Sequence, residues 1–330
     1  MLSVDQIKKL FRGYVGIGEP LAKLTTFNIG GMADFYFEPA DAGDLAVLVN
    51  LLSERDFPFV IMGNGSNFLV SDHGYRGAVI NLCAGGVSAK GTMDMAASDE
   101  ERGLSRMESD GDLVRAGAGG KLSQLVDFCI EESLHGVEML AGLHGTLGGA
   151  IISNERAYGG TISDHIVEVE VIRRGELLRL PKEAIIFGYQ YSSLQDDIVV
   201  SAAFRFPVGD KTEMKRVRRE LLLRRKELQP DESLNAGRIF KNPVMNSAAR
   251  LIENSGLKGL RIGNAQISEK HPNFIVNLGS ASSYDVLRII RRAEEEVQTK
   301  FGVIMELEVK LLGFPEGIDG HIEELVSKEA

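Results

Sequence analysis

The chain has 330 residues, 44% of them hydrophobic and 25% charged, which is typical of a soluble folded protein with two or three domains. Lys and Arg number 37 against 47 Asp and Glu, so the formal net charge is −10. A negatively charged protein repels phosphate backbones, and this disfavours a general nucleic-acid binder. Any phosphate site must therefore be local.

The N-terminal stretch MLSVDQIKKLFRGYVGIG lacks the apolar core and the cleavage site of a signal peptide, and no run of about 18 apolar residues follows. We therefore expect a cytoplasmic protein without a membrane partner. Cys83 and Cys129 lie far apart, with no Cys-x-x-Cys motif and no histidine cluster. This spacing favours two buried thiols over a disulfide framework or a metal site.

Short β-rich runs and helical patterns follow one another along the chain. Strands are predicted in five runs: 34–39, 59–62, 78–82, 166–172 and 198–206. The helical period is clearest in four segments: 41–55, 121–133, 211–228 and 282–300. In the last of these, Ser282 and Asp285 form an N-cap signal and Gly302 a C-terminal stop.

Residues 86–112 show neither period and are rich in Gly, Ser and acidic residues, which predicts a mobile surface excursion. The segment VIMELEVKLL, residues 303–312, is predicted to be a strand. Its alternation places Val303, Met305, Leu307, Val309 and Leu311 on one face, and Glu306, Glu308 and Lys310 on the other. The simplest interpretation of the charged face is exposure to solvent.

A glycine loop follows the second predicted strand, with Gly63 and Gly65 separated and followed by small polar residues. Glycine lets successive backbone N–H groups approach one anion closely. The loop is not a Walker motif, because no Gly-Lys-Ser/Thr follows, and it is not a G-x-G-x-x-G motif, because Phe68 occupies the last glycine position. Taken alone it is better explained as a tight hairpin turn, but two further glycine-rich stretches, 25–35 and 141–160, indicate a large phosphate-bearing ligand.

Together these motifs resemble, in the same order, those of the UDP-N-acetylenolpyruvoylglucosamine reductase (MurB) family, from about residue 20 to residue 314. The matching stretches are LTTFNIGGMADFYFEP, GNGSNFLVSDHGYRGAVINL, AGLHGTLGGA with AYGG, FGYQYS, RRKELQP, AGRIFKNP, GLKG, SEKHPNFIVN and FGVIMELEVKLLG. The resemblance implies a flavoenzyme of bacterial cell-wall synthesis. Its fold would be α+β, with an FAD-binding region of the vanillyl-alcohol-oxidase (PCMH) type and a C-terminal α/β substrate domain.

The resemblance also implies a domain division: an N-terminal segment 1–20, an FAD-binding region 21–209 that includes the 86–112 excursion, a substrate domain 210–314 and a tail 315–330. The stretch of chain between Tyr189 and Gly237 is short, and in this the sequence resembles the shorter type of the family. The expected protein is a monomer whose partner is a small UDP-sugar.

In the family, FAD is bound non-covalently and NADPH is the hydride donor. Carried over to this chain, the cofactor contacts would be Thr26, Ile29, Gly30, Gly31, Gly63, Asn64, Gly65, Ser66, Asn67, Gly145, Thr146, Gly148 and Gly149. The substrate contacts would be Tyr189, Lys241, Asn242, Lys270 and His271. No lysine is needed at the FAD diphosphate, because backbone amides can bind it.

The catalytic residues depart from the family pattern at two of three positions. MELEV matches the family's Leu-Glu-x-Glu-Val and identifies Glu306 as the catalytic glutamate by resemblance. The arginine of Tyr-Arg-x-Ser is Gln190 here, and the Ser or Cys proton donor is Arg238. A guanidinium stays protonated far above neutral pH, so Arg238 is a poor acid.

Two explanations compete for this exchange. In the first, the cation has moved from position 190 to position 238, both of which should face the substrate carboxylate, and water or Ser268 delivers the proton. In the second, the reductase chemistry is lost and an FAD-binding fold persists as a binding or regulatory protein. A flavin oxidase of the same fold and a plain sugar-nucleotide binder are further alternatives.

Overall fold

The computed structural model describes residue 7 and residues 9–83, 103–230 and 233–315. The chain forms two compact units, each assembled from discontinuous segments. The first comprises residues 1–17, 35–64 and 77–224, and the second residues 18–34, 65–76 and 225–330. The last boundary, between Arg224 and Arg225, lies inside a long helix, whereas the sequence-based division was placed at 209/210.

Six α-helices lie completely within the described residues: α1 Ala42–Ser53, α2 Leu122–Glu131, α3 Leu147–Ser153, α4 Lys211–Leu228, α5 Ala248–Asn254 and α6 Ser283–Phe301. All four helices predicted from periodicity are confirmed, as α1, α2, α4 and α6. In α6 the Ser282 hydroxyl accepts from the Asp285 N–H, and Gly302 ends the helix in the left-handed conformation at φ 67°. These caps satisfy backbone groups that a helix end leaves unpaired.

The strands are β1 Tyr14–Pro20, β2 Met32–Glu38, β3 Phe59–Met62, β4 Phe68–Val70, β5 Tyr75–Asn81, β6 Met107–Asp110, β7 Leu113–Gly117, β8 Arg156–Ala157, β9 Gly160–Thr161, β10 Ile166–Arg173, β11 Glu176–Pro181, β12 Phe187–Gly188, β13 Tyr191–Ser192, β14 Ile198–Arg205, β15 Arg261–Ile262, β16 Ala265–Ile267, β17 Ile275–Asn277 and β18 Lys310–Leu312. All five predicted β runs are therefore confirmed.

A five-stranded antiparallel sheet, ordered β11-β10-β14-β7-β6, forms the centre of the first unit. Its strands alternate between a buried and a more polar face: Val169 and Val171 of β10 are fully buried, while Glu168 and Glu170, which alternate with them, are partly exposed. A second sheet has the order β1-β2-β5-β3, in which β3 and β5 are parallel.

The second unit has its own apolar core, formed mainly by α5, α6 and the three-stranded sheet β15-β16-β17. β18 pairs in parallel with β4, the strand that follows the glycine loop. The predicted strand over 303–312 is a regular strand only from Lys310, but the alternation holds before it: Met305 and Val309 are buried and Glu306 is exposed.

The predicted excursion 86–112 is wrong for its last part. Residues 84–102 lie outside the described residues, but Met107–Asp110 is β6, which pairs with β7. Gly111, at φ 62°, makes the turn between the two strands. The Asp-Gly-Asp sequence of residues 110–112 is a hairpin signal that the polar composition obscured.

Both cysteines are buried and lie outside any disulfide, as predicted. Burial raises the pKa of the Cys129 thiol to about 12, with smaller contributions from Glu138 and Glu132, so this thiol stays protonated and unreactive at neutral pH. Among the described residues, no helix is long and apolar enough to cross a lipid bilayer.

Candidate functional site

The glycine loop between β3 and β4 leaves no room for side chains at its two glycines. A Cβ on Gly63 would lie 2.2 Å from the Thr146 hydroxyl oxygen. Gly65 adopts φ 61°, and a Cβ there would lie 2.1 Å from the carbonyl oxygen of Leu24. Both glycines are therefore required by close packing.

The polar groups of this loop suit an anionic ligand. The carbonyls of Gly65 and Asn67 accept from the backbone N–H groups of Thr26 and Lys310. Among the described residues, the N–H groups of Gly63, Asn64 and Gly65 donate no hydrogen bond. Successive unpaired amides in a glycine turn are the arrangement that binds phosphate, so the loop fits the diphosphate of a dinucleotide.

A second glycine-rich segment, 145–149, packs against residues 118–122 in the first unit. The N–H of Gly148 donates to the Ala118 carbonyl at 2.8 Å, and the N–H of Leu122 donates to the Gly145 carbonyl at 3.1 Å. Thr146, which contacts the Gly63 position, is only 6% exposed. In the first unit, Gly63, Thr146 and the Gly145–Gly149 segment are therefore brought together.

Residues 117–120 were missed by the sequence analysis, although they contain three glycines. A Cβ on Gly119 would lie 1.6 Å from the Leu82 carbonyl oxygen, and one on Gly117 would lie 2.2 Å from that of Leu104. The signal was present in the run AGAGG directly after a β-rich segment, which has the same form as the three glycine loops that were recognised.

The predicted cofactor segment 26–31 is held in the second unit. The Thr26 hydroxyl donates to the Asn235 carbonyl at 2.7 Å, and the Gly31 N–H donates to the Ser71 carbonyl at 2.8 Å. Ile29 is only 2% exposed and belongs to the apolar core. Core packing explains Ile29, and its contact with a cofactor stays a prediction.

Gln190 lies in the two-residue turn of the β12–β13 hairpin, at φ 50°. Both polar atoms of its amide are buried and have no hydrogen-bond partner. Asn154, missed by the sequence analysis, ends α3 in the left-handed conformation and donates to the Gly188 carbonyl at 2.9 Å, while its Oδ1 is buried without a partner. Tyr189, in the same turn, is 55% exposed.

Arg238 follows Gly237, which adopts φ 77°. The guanidinium Nη2 donates to Oε1 of Glu308 at 3.1 Å, and both side chains are partly buried. The backbone supports this contact, because the Glu308 N–H donates to the Ile239 carbonyl at 2.8 Å. The Asn67 side-chain amide donates to the Glu308 carbonyl at 3.0 Å, so the pair lies beside the end of the glycine loop.

Glu306 and Lys241 form a neighbouring ion pair, and the Lys241 N–H donates to the Glu306 carbonyl at 2.8 Å. The two glutamates differ in environment: the side chain of Glu306 is 72% exposed and that of Glu308 19%. A less exposed carboxylate interacts more strongly with its neighbours, because less water screens it. The structure thus adds Glu308 as a candidate beside the motif-based prediction of Glu306.

His271 and Ser268 lie in a turn of the second unit. The buried Ser268 hydroxyl oxygen accepts from the N–H groups of Lys270 at 3.1 Å and His271 at 3.3 Å. Burial lowers the pKa of the His271 imidazole, and the positive charge of Arg238 lowers it further. His271 is therefore neutral at pH 7, with its Nδ1 accepting from the Asn273 N–H.

The other two predicted substrate contacts also have structural partners. The Asn242 side-chain oxygen accepts from the N–H of Ala248, the first residue of α5, at 3.0 Å. The Lys270 ammonium donates to the Lys226 carbonyl near the end of α4 at 2.8 Å. Lys270 keeps donors for a ligand, whereas Asn242 Oδ1 is engaged in capping a helix.

Two family models match this chain. Residues 33–180 match an FAD binding domain, and residues 229–312 match the C-terminal domain of UDP-N-acetylenolpyruvoylglucosamine reductase. The first match includes the glycine loop and Thr146, and the second includes Arg238, Lys241 and both glutamates.

Relatives named UDP-N-acetylenolpyruvoylglucosamine reductase align with this chain over nearly their full length. The chain is 38% identical to the UDP-N-acetylenolpyruvoylglucosamine reductase of Desulforamulus reducens over 311 residues, covering 93% of this chain and 97% of the relative. It is 38% identical to that of Chloroherpeton thalassium, covering 97% of this chain and 100% of the relative.

The crystal structure of UDP-N-acetylenolpyruvylglucosamine reductase (MurB) from Thermus caldophilus matches with a TM-score of 0.72 and 33% identity, covering 91% of this chain and 99% of that one. The fold predicted from the motifs, an FAD-binding region of the PCMH type followed by a C-terminal substrate domain, is confirmed by this match and the two family models. From these matches, the chain belongs to the UDP-N-acetylenolpyruvoylglucosamine reductase family and contains its FAD-binding domain.

Proposed function

We propose that this protein is an NADPH-dependent, FAD-containing reductase that converts UDP-N-acetylglucosamine enolpyruvate to UDP-N-acetylmuramate in peptidoglycan precursor synthesis. The family membership supports the oxidoreductase class and the UDP-sugar substrate. The observation that carries the proposal is the Arg238–Glu308 contact, which keeps a cation and a carboxylate together where the family has its proton donor.

The proposed chemistry requires hydride delivery and one proton. FAD held by these residues would supply the chemistry of hydride transfer from NADPH to the enolpyruvyl group. The residues fit this cofactor, because the unpaired amides of Gly63, Asn64 and Gly65 can bind its diphosphate and the absence of side chains permits close approach. Thr146 packs against Gly63 and holds the loop in place.

Hydride addition leaves negative charge on the carbon next to the substrate carboxylate. Arg238 supplies a permanent positive charge for this enolate, and Glu308 orients the guanidinium through the Nη2–Oε1 hydrogen bond. Since Arg238 cannot donate its proton at neutral pH, a different group must protonate the carbon. The candidates are a water molecule and Ser268, whose hydroxyl hydrogen stays available although its oxygen accepts two N–H groups.

A second candidate function is a non-catalytic FAD-binding protein with a binding or regulatory role. It is favoured by the neutral amide at Gln190 and by the arginine at 238, which together remove the family's arginine and its hydroxyl donor. A general acid contributes about 10² to 10⁴ in rate, so its loss alone slows a reductase without abolishing it. We therefore favour the reductase.

An absorbance spectrum of the purified protein tests the proposal. A reductase shows the oxidised flavin bands, loses them when NADPH is added without oxygen, and regains them on addition of UDP-N-acetylglucosamine enolpyruvate. Loss of the oxidised flavin bands with NADPH, without their return on addition of the enolpyruvyl sugar, would favour the non-catalytic FAD-binding protein. Reoxidation by O₂ alone would indicate an oxidase, and colourless protein with no affinity for FAD would contradict both flavin-based functions.

A further inference from the structure

Three arginines lie close together in the first half of helix α6: Arg288, Arg291 and Arg292. Arg291 pairs with Glu295 and Arg292 with Glu296, each at 2.8 Å and four residues further along the helix. Arg288 has no such neighbour, because the residues three and four positions after it are Arg291 and Arg292 themselves. Like charges at this spacing repel each other. We call these three residues the arginine cluster.

The guanidinium of Arg288 has no counter-charge among the described residues. Its Nε is buried and, in the same part of the chain, meets no hydrogen-bond acceptor. The acidic residue one turn earlier, Asp285, instead accepts from the Ser282 N–H at 3.1 Å in the N-terminal cap of the helix. A guanidinium cannot lose its proton, and a buried charge is unfavourable when neither water nor a carboxylate surrounds it. Arg288 therefore requires an anionic partner.

The described part of the chain ends beside the first turn of α6. The Leu312 carbonyl accepts from the Ser71 N–H at 2.9 Å. Next to Ser71, Oδ2 of Asp72 accepts from both the N–H and the hydroxyl of Ser283, the first residue of α6, at 2.8 Å each. Residues 316–330 therefore follow directly from a point at the end of α6 that carries the arginine cluster.

The sequence of residues 316–330, EGIDGHIEELVSKEA, has five acidic residues and one lysine, so its charge is 1 − 5 = −4 with histidine neutral. Four of the acidic residues precede residue 325: Glu316, Asp319, Glu323 and Glu324. The apolar residues recur with the period of one helix face: Ile318, Ile322, Leu325 and Val326. An acidic segment with one apolar face thus begins close to the unpaired Arg288.

The order of charges along α6 matches the order of charges in this segment. Residues 283–292 contain three Arg and one Asp, a charge of 3 − 1 = +2, and residues 293–301 contain one Lys and three Glu, a charge of 1 − 3 = −2. Lys328 lies 12 residues after Glu316, which is about 18 Å in a helix. The same length of α6 leads from Tyr284 to Glu296, so a parallel path brings Lys328 to the acidic half of α6.

We propose that residues 316–330 bind along α6 in the parallel direction, and that their acidic first part supplies the counter-charge of the arginine cluster, above all of Arg288. The apolar residues of the segment pack against Tyr284 and against the alkyl stems of the arginines. The helix N-terminus adds a favourable partial charge for the same acidic residues. This interaction surface lies in the second unit and does not depend on the proposed reductase activity.

Proteolysis of the whole 330-residue chain tests this contact, because chymotrypsin cuts after leucine and Leu325 lies inside the segment. Mass spectrometry of the intact protein follows the cut, and a synthetic peptide of residues 313–330 gives the rate for the unbound segment. Arg288→Met is compared with Arg250→Met, a matched change at an exposed arginine of α5. A third variant has amides in place of the four acidic residues that precede residue 325. Thermal unfolding is recorded in parallel, and no measurement requires turnover.

The expected result is that Leu325 is cut at least tenfold more slowly in wild type than in the peptide. Arg288→Met and the amide variant should each speed the cut about tenfold, the value of one charge-assisted hydrogen bond, while Arg250→Met should not. Combining Arg288→Met with the amides should add little, because both remove the same interaction. Sodium chloride at about 1 M should speed the cut in wild type only, since it screens the pairing.

A cut in wild type that is as fast as in the peptide would overturn the proposal, as would equal rates in wild type and Arg288→Met. An effect of Arg288→Met that the amide variant does not share would also overturn it, and together with a lower unfolding temperature would make Arg288 a structural residue. Protection that disappears on dilution of the protein would place the segment on a second copy of the chain and contradict binding within one chain.

Discussion

Arg238 and Glu308 form an ion pair in which Nη2 lies 3.1 Å from Oε1, and the pair brings together two segments that are 70 residues apart in the chain. The neighbouring pair of Lys241 and Glu306 is built on the same two segments. One chain segment thus presents two cations to two glutamates, and the glutamates differ in exposure. This difference allows their roles to be separated by mutation.

The first prediction ranks the two glutamates. Glu308→Gln should slow flavin reoxidation by the enolpyruvyl substrate about 10²-fold or more, because it removes the buried charge that orients Arg238. Glu306→Gln should have a smaller effect, since that carboxylate is mostly exposed. Stopped-flow absorbance resolves the two half-reactions, and flavin reduction by NADPH should stay nearly normal in both variants. The opposite ranking would support the motif-based assignment of Glu306.

The second prediction concerns the exchange of residue types at positions 190 and 238. Arg238→Ser restores a hydroxyl but removes the cation, so it should raise the reoxidation rate little. Combined with Gln190→Arg it should raise the rate on the order of a hundredfold, the lower end of a general acid's contribution. Wild type, both single variants and the double variant are compared by stopped flow. Additive effects would argue against one cation having replaced the other.

The third prediction separates packing from cofactor binding at the glycine loop. Gly63→Ala should destabilise the protein by about 1–3 kcal/mol, because its Cβ would overlap Thr146. Adding Thr146→Ala removes the overlapping atoms and should restore much of that stability. Flavin content should stay low in the double variant if the loop amides bind the FAD diphosphate.

Thr146→Ala alone is the control for that experiment, and urea unfolding with flavin absorbance gives both quantities. Recovery of full flavin content together with stability would show that Gly63 serves packing only. Gly65 is less suitable for this test, because any side chain there meets both a positive φ and a backbone carbonyl that no second mutation can remove.

The fourth prediction is a pH dependence of stability that comes from His271. Its folded-state pKa is lowered from the ordinary value of 6.5 by burial and by Arg238, so below pH 6.5 the unfolded chain binds a proton that the folded protein does not. Stability is therefore lost as the pH falls from 6.5 through the lower folded-state pKa. His271→Asn should reduce this loss.

Urea unfolding of wild type and His271→Asn at pH 7.5 and pH 5.5 measures the effect. The carboxylates of the protein contribute equally to both proteins, so the difference between the two pH-dependent losses reports His271. A loss of stability on acidification that is the same in both proteins would mean that His271 titrates normally.

The sequence by itself predicted the family, the four longest helices, three of the glycine loops and three of the four ion-pair residues, Arg238, Lys241 and Glu306. These features depend on local signals: the Ser282 and Gly302 caps act within one helix turn, and the requirement of Gly63 and Gly65 for a close turn is a property of glycine. The family was predicted from the order of motifs along the chain, which can be determined without knowing which residues are close in space. The 107–110 strand also had such a signal, in the Asp-Gly turn that follows it.

The tertiary structure decided which of these residues meet and how far each is buried. Strand alternation places Glu306 and Glu308 on the same face, but only contacts with the distant 238–241 segment make one mostly exposed and the other mostly buried. Arg288 appears in the sequence as one more arginine in a charged helix, and the burial of its Nε without a partner among the described residues depends on packing. Charge pairing and the degree of burial depend on contacts between residues far apart in the chain, so periodicity indicates which face is buried but not which partner covers or pairs with a given residue.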